Sequence, residues 1–151
     1  MPSLFEISVV VAAVGAGLVA GVCLAFASFV MRALDRLGPA PAIRAMQAIN
    51  ATILRSSVMG VWFGTVAVGV LAAVLAEERG LASASAALYA VGAVLITGGR
   101  NVPLNEELDR VDPGEPGSSE AWRRYRVSWG RWNALRTVAC TLASVGFVLA
   151  L

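Results

Sequence analysis

The sequence predicts an all-α integral membrane protein: a four-helix bundle with an additional short amphipathic helix in its first cytoplasmic connection and a helical third connection. Three observations indicate this fold. Of the 151 residues, 58% are hydrophobic and only 15% are charged, which is unlike a soluble protein. Four long segments are almost free of charge, and the arginines cluster in two of the connections between them. The length indicates a single membrane domain over residues 1–151.

The first predicted span runs from residue 7 to residue 31, where no residue carries a charge. At about 1.5 Å per residue, this segment is long enough to cross the ~30 Å hydrocarbon core of a bilayer. A cleaved signal peptide is the alternative interpretation, because Ala25-Phe26-Ala27 resembles a cleavage site. The leader contains Glu6 and no basic residue, and its apolar run is longer than usual, so we expect an uncleaved helix.

The first connection contains the predicted amphipathic helix, from about Ala42 to Leu54, after a chain break at Gly38-Pro39 and Pro41. Its apolar side chains recur at helical spacing, which is typical of a helix that lies in the membrane interface. These side chains are Ile43, Met46, Ile49 and Ile53. Gln47 and Asn50 share a neighbouring face.

The second and third spans are predicted at residues 56–76 and 81–99, joined by a tight turn at residues 77–80. Pro103 cannot donate a backbone hydrogen bond, so we expect the third helix to kink or end there and a short helix to restart. A polar loop at residues 112–119 then leads to the helix whose fourth span covers residues 131–151.

The arginines predict the orientation of the bundle. Only Arg79 lies in the second connection, whereas the first and third connections carry ten arginines. They are Arg32, Arg36, Arg44, Arg55, Arg100, Arg110, Arg123, Arg124, Arg126 and Arg131. The positive-inside rule therefore predicts a multi-pass protein of the inner (plasma) membrane with both termini outside and both long connections cytoplasmic. Topology already explains these arginines, so no nucleic-acid partner is expected.

Polar side chains define one face of the fourth span: Asn133, Arg136, Thr137, Cys140, Thr141 and Ser144. Charged and amide groups at such depth usually line a cavity or pair with one another. Before them, Trp122, Tyr125, Trp129 and Trp132 form an aromatic stripe. For Trp122 and Tyr125 we expect a place in the interfacial aromatic belt.

A cytoplasm-facing pocket between the third and fourth spans is the resulting hypothesis. Arg100, Asn101 and Asn105 lie at the cytoplasmic end of the third span. Asn133 and Arg136 lie at the same side of the membrane, on the fourth span. Aromatic and amide side chains complete the set: Trp129, Trp132, Gln47 and Asn50. Such a cationic, amide-rich pocket with an aromatic wall suits a planar, acidic or enolisable organic molecule.

Pairs of glycines and two cysteines in the predicted spans indicate helix packing. Gly17 and Gly21 on the first span, and Gly60 and Gly64 on the second, are small-xxx-small pairs that predict close helix approach. Cys23 and Cys140 lie at similar depths, so a pair is one alternative and two separate buried thiols is the other. The chain has no His and no metal-binding cysteine spacing, so no metal site is predicted.

Three motifs together resemble the anthrone oxygenase-like family of small four-helix membrane proteins: Ala45-Met46-Gln47-Ala48-Ile49-Asn50, Arg100-Asn101-Val102-Pro103-Leu104-Asn105, and Trp132-Asn133-x-x-Arg136-Thr137 preceded by Trp129. The resemblance implies oxidation of an anthrone to an anthraquinone by O₂ without a conventional cofactor. It assigns Arg100, Asn101, Asn133 and Arg136 as donors to the developing oxyanion, together with Asn105.

The sequence departs from the family pattern at Ala134, where members commonly carry His. A proton acceptor would then have to be Glu106, Glu107, Asp109 or Tyr125. A non-catalytic membrane protein is the alternative: a binder of a lipid or quinone-like ligand, or a small accessory subunit. A homo-oligomer and a larger membrane complex are both compatible with the sequence, and a transporter is disfavoured because no internal repeat is evident.

Overall fold

The computed structural model describes residues 1–76 and 80–151, and throughout them the regular structure is helical, with no strand. This confirms the all-α prediction. The helices are α1 (Leu4–Arg36), α2 (Pro39–Ile53), α3 (Ser57–Leu75), α4 (Leu81–Asp109) and α5 (Ser118–Val148). The turn predicted at residues 77–80 lies mostly outside the described residues.

Three of these helices, α1, α3 and α4, are long and apolar enough to cross a membrane. Many of their large apolar side chains are exposed, including Phe29, Phe63 and Leu95. Exposed apolar side chains in such numbers are expected on a surface that faces lipid. The chain is therefore a membrane protein. Helix α5 is less apolar than these three because Arg131, Asn133 and Arg136 lie within its predicted span.

Helices α1 and α5 form the centre of the bundle. Helix α1 packs against α3 and α5, and α5 also packs against α4. Ser144 Oγ donates to the Ala13 carbonyl at 2.8 Å, which fastens α5 to α1. Trp62 Nε1 on α3 donates to the Ala93 carbonyl on α4 at 2.7 Å, and Tyr89 Oη donates back to the Trp62 carbonyl at 3.1 Å.

Close helix approach occurs at one of the predicted glycines and at others that were not predicted. A Cβ on Gly17 would lie 3.3 Å from Ser144 Oγ on α5. A Cβ on Gly92 would lie 2.6 Å from Ala139 Cβ, so α4 and α5 touch there through backbone. By contrast, a Cβ on Gly21, Gly60 or Gly64 would meet no atom within 4 Å. The prediction for these last three glycines was wrong within the described residues, because small side chains permit close approach without requiring it.

Helix α4 does not end near Pro103 but continues to Asp109. It changes type instead: it is π-helical from Ala90 to Asn101 and α-helical from Val102 onward. At the junction, the Val102 N–H donates to the Thr97 carbonyl five residues earlier. In a π-helical turn each N–H bonds to the carbonyl five residues earlier and not four. The wider turn before Pro103 therefore avoids the steric clash that a proline ring makes with the carbonyl four residues back in an α-helix. Helix α1 has a similar π-helical turn at Phe26–Val30.

Helix α2 covers the end of the bundle. It begins at Pro39, earlier than predicted, because prolines are tolerated in the first turn, where the N–H groups lack helical partners. Ile43 and Met46 are buried in the protein, in a cluster with Leu34, Leu108 and Trp122. Its apolar face therefore packs on the other helices, which differs from the expectation of a helix whose apolar face lies in lipid.

Candidate functional site

A cavity of ≈ 430 Å³ is lined by residues of all five helices. Its inner end is bordered by Cys23, Trp62 and Ala93, and its outer end by Glu106 and Asp109. The walls are mostly apolar, with a few polar side chains placed between the two ends. Size and lining are those of a site for a small organic molecule.

Arg136 is the central polar group of this cavity. Only 6% of the residue is exposed. Its Nη1 donates to Thr97 Oγ1 at 3.1 Å, and its Nη2 donates to Asn133 Oδ1 at 2.7 Å. Asn133 in turn donates from Nδ2 to the Cys23 carbonyl at 2.8 Å. The guanidinium is thereby held in one orientation between α1, α4 and α5.

Two tryptophan rings enclose the guanidinium. Arg136 Cζ lies 5.4 Å from the centroid of the Trp129 ring and 5.7 Å from that of Trp62, within cation–π range. Phe26 packs on Trp129 with ring centroids 5.5 Å apart. Trp62 was missed by sequence reasoning, because a tryptophan in an apolar span gives no sign of which face it occupies.

No carboxylate pairs with Arg136 in the part of the chain that the structure describes. The ion pairs found there join Arg123 and Arg124 to Glu120, and Arg126 to Asp35, and their side chains are all at least 40% exposed. A buried cation without a counter-ion is costly in a low-dielectric setting. The cavity is therefore electrostatically suited to a group that carries negative charge.

Four buried polar atoms around the cavity lack a hydrogen-bond partner in the described residues: Asn50 Nδ2, Trp129 Nε1, Arg136 Nε and Asn101 Oδ1. All four side chains line the cavity, and each residue is less than 10% exposed. Three of the atoms are donors and one is an acceptor. Since a buried polar atom left unsatisfied costs about 1–3 kcal/mol, this cluster indicates a ligand with oxygen atoms.

Asn101 and Asn105 lie on the cavity face of α4, as predicted. Asn101 Nδ2 donates to the Trp129 carbonyl at 3.3 Å, and Asn105 Oδ1 accepts from Tyr125 Oη at 2.9 Å. Burial raises the pKa of the Tyr125 hydroxyl. Tyr125 therefore stays protonated and acts as a donor that positions Asn105.

Trp122 and Tyr125 do not form an interfacial belt. They are 3% and 4% exposed, and their rings stack with centroids 5.8 Å apart. Trp122 Nε1 donates to Asp35 Oδ1 at 3.0 Å on α1. Their indole and phenol groups find partners inside the protein, so the expectation that they face the headgroups was wrong.

Three residues predicted for the site lie outside the cavity lining. Gln47 Nε2 donates to the carbonyls of Leu108 and Val111, at 2.9 and 3.0 Å, so it closes the end of α4. Arg100 and Trp132 pair with each other, with Arg100 Cζ 4.9 Å from the Trp132 ring centroid. Gln47, Arg100 and Trp132 therefore bind partners outside the cavity, and none of the three side chains lines it.

Ala134 is exposed and does not line the cavity. Its neighbours Asn133 and Arg136 are buried on the other side of α5. The departure from the family pattern at this position therefore leaves the cavity unchanged. Glu106 and Asp109, which the sequence could not place, both line its outer end.

Cys23 and Cys140 are both buried and both free. They belong to one apolar cluster with Trp62, Tyr89 and Ala93. The structure thus favours two separate buried thiols over a disulfide.

The model of one protein family, described as anthrone oxygenase, matches residues 56–146. The match covers α3, α4 and most of α5, and so includes Trp62, Asn101, Trp129 and Arg136. Comparisons with curated proteins and with solved structures find no match.

Proposed function

Because the chain belongs to the anthrone oxygenase family, we propose that it is a membrane-embedded oxygenase that binds a lipophilic aromatic molecule of the anthrone type in this cavity. The four unpartnered polar atoms carry the proposal. Three unpartnered donors, one of them on the buried cation Arg136, can hold a carbonyl oxygen that gains negative charge. The indole rings of Trp62 and Trp129 can stack on an aromatic system.

The proposed reaction converts an aromatic ketone with a benzylic CH₂ group, and O₂, into a quinone and water. Loss of a benzylic proton leaves an enolate that can itself give an electron to O₂, so no cofactor is required. The protein's contribution is to stabilise the enolate oxygen. We infer that Arg136, Trp129 and Asn50 donate to it, which is supported by the unpartnered donor that each of them carries. The bonds from Arg136 to Thr97 and Asn133 fix its orientation.

The bilayer is the proposed source of the ligand. Exposed apolar residues form part of the cavity lining: Leu54 is 70% exposed, Phe63 59% and Val102 39%. Gly98, also exposed, lies on the same border. A lipophilic molecule dissolved in the membrane can thus reach the aromatic walls without first entering water.

We also propose that α5 supplies a fourth span over residues 131–151, in a single domain with both termini outside. Asn133 and Arg136, two of the polar side chains that make α5 less apolar, line the cavity and are hydrogen-bonded to each other there, which lowers their cost in a membrane. Fusions of alkaline phosphatase and of a fluorescent protein to each terminus test this. Phosphatase activity is expected at both ends and fluorescence at neither, whereas fluorescence at the C-terminus would indicate three spans.

Oxygen uptake tests the proposed activity. Purified protein in lipid nanodiscs should speed O₂ uptake with anthrone above the protein-free rate. Gly98→Leu should lower this rate by about tenfold or more, because Gly98 lines the cavity and its added side chain enters open space. Gly99→Leu is the matched control: Gly99 is equally free of neighbours but does not line the cavity. An uptake rate equal to the protein-free rate would count against an oxygenase.

A non-catalytic binder is the second candidate, since the same unpartnered donors would hold a quinone-like ligand without turnover. Quenching of tryptophan fluorescence by anthraquinone, in a protein that does not speed O₂ uptake, would support it.

A further inference from the structure

The proton acceptor is the group that the proposed reaction still needs. The chain contains no His, and the raised pKa of Tyr125 leaves that hydroxyl protonated and bonded to Asn105. Glu107, one of the remaining acids, faces a different cavity of ≈ 340 Å³ together with Arg124 and Ser128. Only two carboxylates, those of Glu106 and Asp109, line the main cavity in the part of the chain that the structure describes.

We propose that Glu106 is the general base that removes the benzylic proton of the ligand, an inference that rests on the proposed function. Glu106 shares one face of α4 with Asn101, Val102 and Asn105, all of which line the cavity. It lies five residues after Asn101, which is about 7 Å along the helix axis. A fused aromatic ligand whose carbonyl is held near Arg136 therefore extends its opposite edge toward Glu106.

Glu106 is also available to accept a proton. It is exposed, and the ion pairs found among the described residues do not include it. Asp109 lies three residues after Glu106 on α4, which is about 4.5 Å further from Asn101 along the helix axis. The buried, unpartnered donors of Arg136, Trp129 and Asn50 point independently to a ligand between the two ends of the cavity.

With Glu106 as the proton acceptor and the donors near Arg136 as the group that stabilises the enolate oxygen, the reaction balances. A benzylic C–H bond breaks, the proton moves to a Glu106 oxygen, and the electron pair remains on the ring system as an enolate. One electron passes to O₂, and the resulting radical and superoxide combine to form a carbon–oxygen bond. The peroxide anion takes the proton back from Glu106. Removal of the second benzylic proton by Glu106 then breaks the O–O bond, and the departing hydroxide takes that proton, which yields the ketone and water.

Proton exchange under argon tests Glu106 separately from oxygen chemistry. In D₂O and without O₂, the protein should speed exchange of the anthrone CH₂ protons, measured by NMR, above the protein-free rate. Glu106→Gln should lower the protein-dependent exchange rate by about 100-fold, a typical contribution of a general base. Glu107→Gln removes the same charge from the next residue, which faces the other cavity, and should exchange like the wild type.

Binding of anthraquinone, followed by quenching of tryptophan fluorescence, shows whether each variant is folded and can hold a ligand. Glu106→Gln should bind like the wild type. Exchange at the wild-type rate in Glu106→Gln would overturn the assignment, as would loss of exchange in Asp109→Asn but not in Glu106→Gln. Loss of both exchange and binding would make Glu106 a binding residue and also overturn it. If the wild type speeds proton exchange but consumes no O₂, the assignment of Glu106 as the general base would stand and the proposed oxygenase activity would be refuted.

Discussion

Arg136→Met should lower kcat/KM for oxygen-dependent oxidation of anthrone by about 10²–10³-fold, the usual effect of removing a donor to a developing oxyanion. Methionine keeps much of the length of the side chain and removes the charge and all the donors. Thr97 and Asn133, which accept from Arg136 at 3.1 and 2.7 Å, would no longer hold a group against the ligand. Oxygen uptake at several anthrone concentrations measures the change.

Arg131→Met is the matched control for this variant. Arg131 lies on the same helix and carries the same charge, but it is exposed and does not line the cavity. Its kcat/KM should stay close to that of the wild type. If Arg136→Met and Arg131→Met were equally active, Arg136 would have no role in the reaction.

Gly92→Ala should destabilise the protein by about 1–3 kcal/mol, the range typical of overpacking a core. The new Cβ would lie 2.6 Å from Ala139 Cβ and 3.7 Å from the Cys140 amide nitrogen. Neither neighbour is the end of a flexible side chain, so α4 and α5 must move apart. Unfolding in mixed micelles with increasing SDS gives the difference in free energy.

Gly99→Ala controls for the intrinsic effect of replacing glycine in this helix. Gly99 is exposed, and an added Cβ meets no atom within 4 Å, so this variant should be unchanged or more stable by up to about 1 kcal/mol. Equal stability of the two variants would mean that α4 and α5 do not touch at Gly92.

The sequence predicted the helical class and the polar face of α5 because both depend on local patterns. Asn133 and Arg136 repeat at the α-helical period, and α5 is a regular α-helix, so both side chains lie on the predicted side. Asn105 also lines the cavity as expected, since it lies in the α-helical part of α4, which begins at Val102. Asn101, the last residue of the π-helical stretch, lines the cavity as well.

Arg100 shows where pattern reasoning fails. It belongs to the π-helical stretch Ala90–Asn101, whose wider turns do not follow the 3.6-residue period used to assign faces. Its guanidinium consequently lies over Trp132, away from the cavity. Gln47 was misplaced for another reason: its partners are backbone carbonyls 61 and 64 residues away, and no sequence pattern marks such acceptors.

The two bonds from Gln47 also bear on how quickly a ligand leaves the cavity. They join α2 to the end of α4, next to the turn that carries Glu106 and Asp109. Departure past α2 therefore requires these bonds to break, at about 0.5–1.5 kcal/mol each. Among the described residues, Phe63 and Gly98 form no side-chain bond that joins two helices in this way. If the proposed ligand binds, we therefore expect it to leave more readily past Phe63 and Gly98 than past α2.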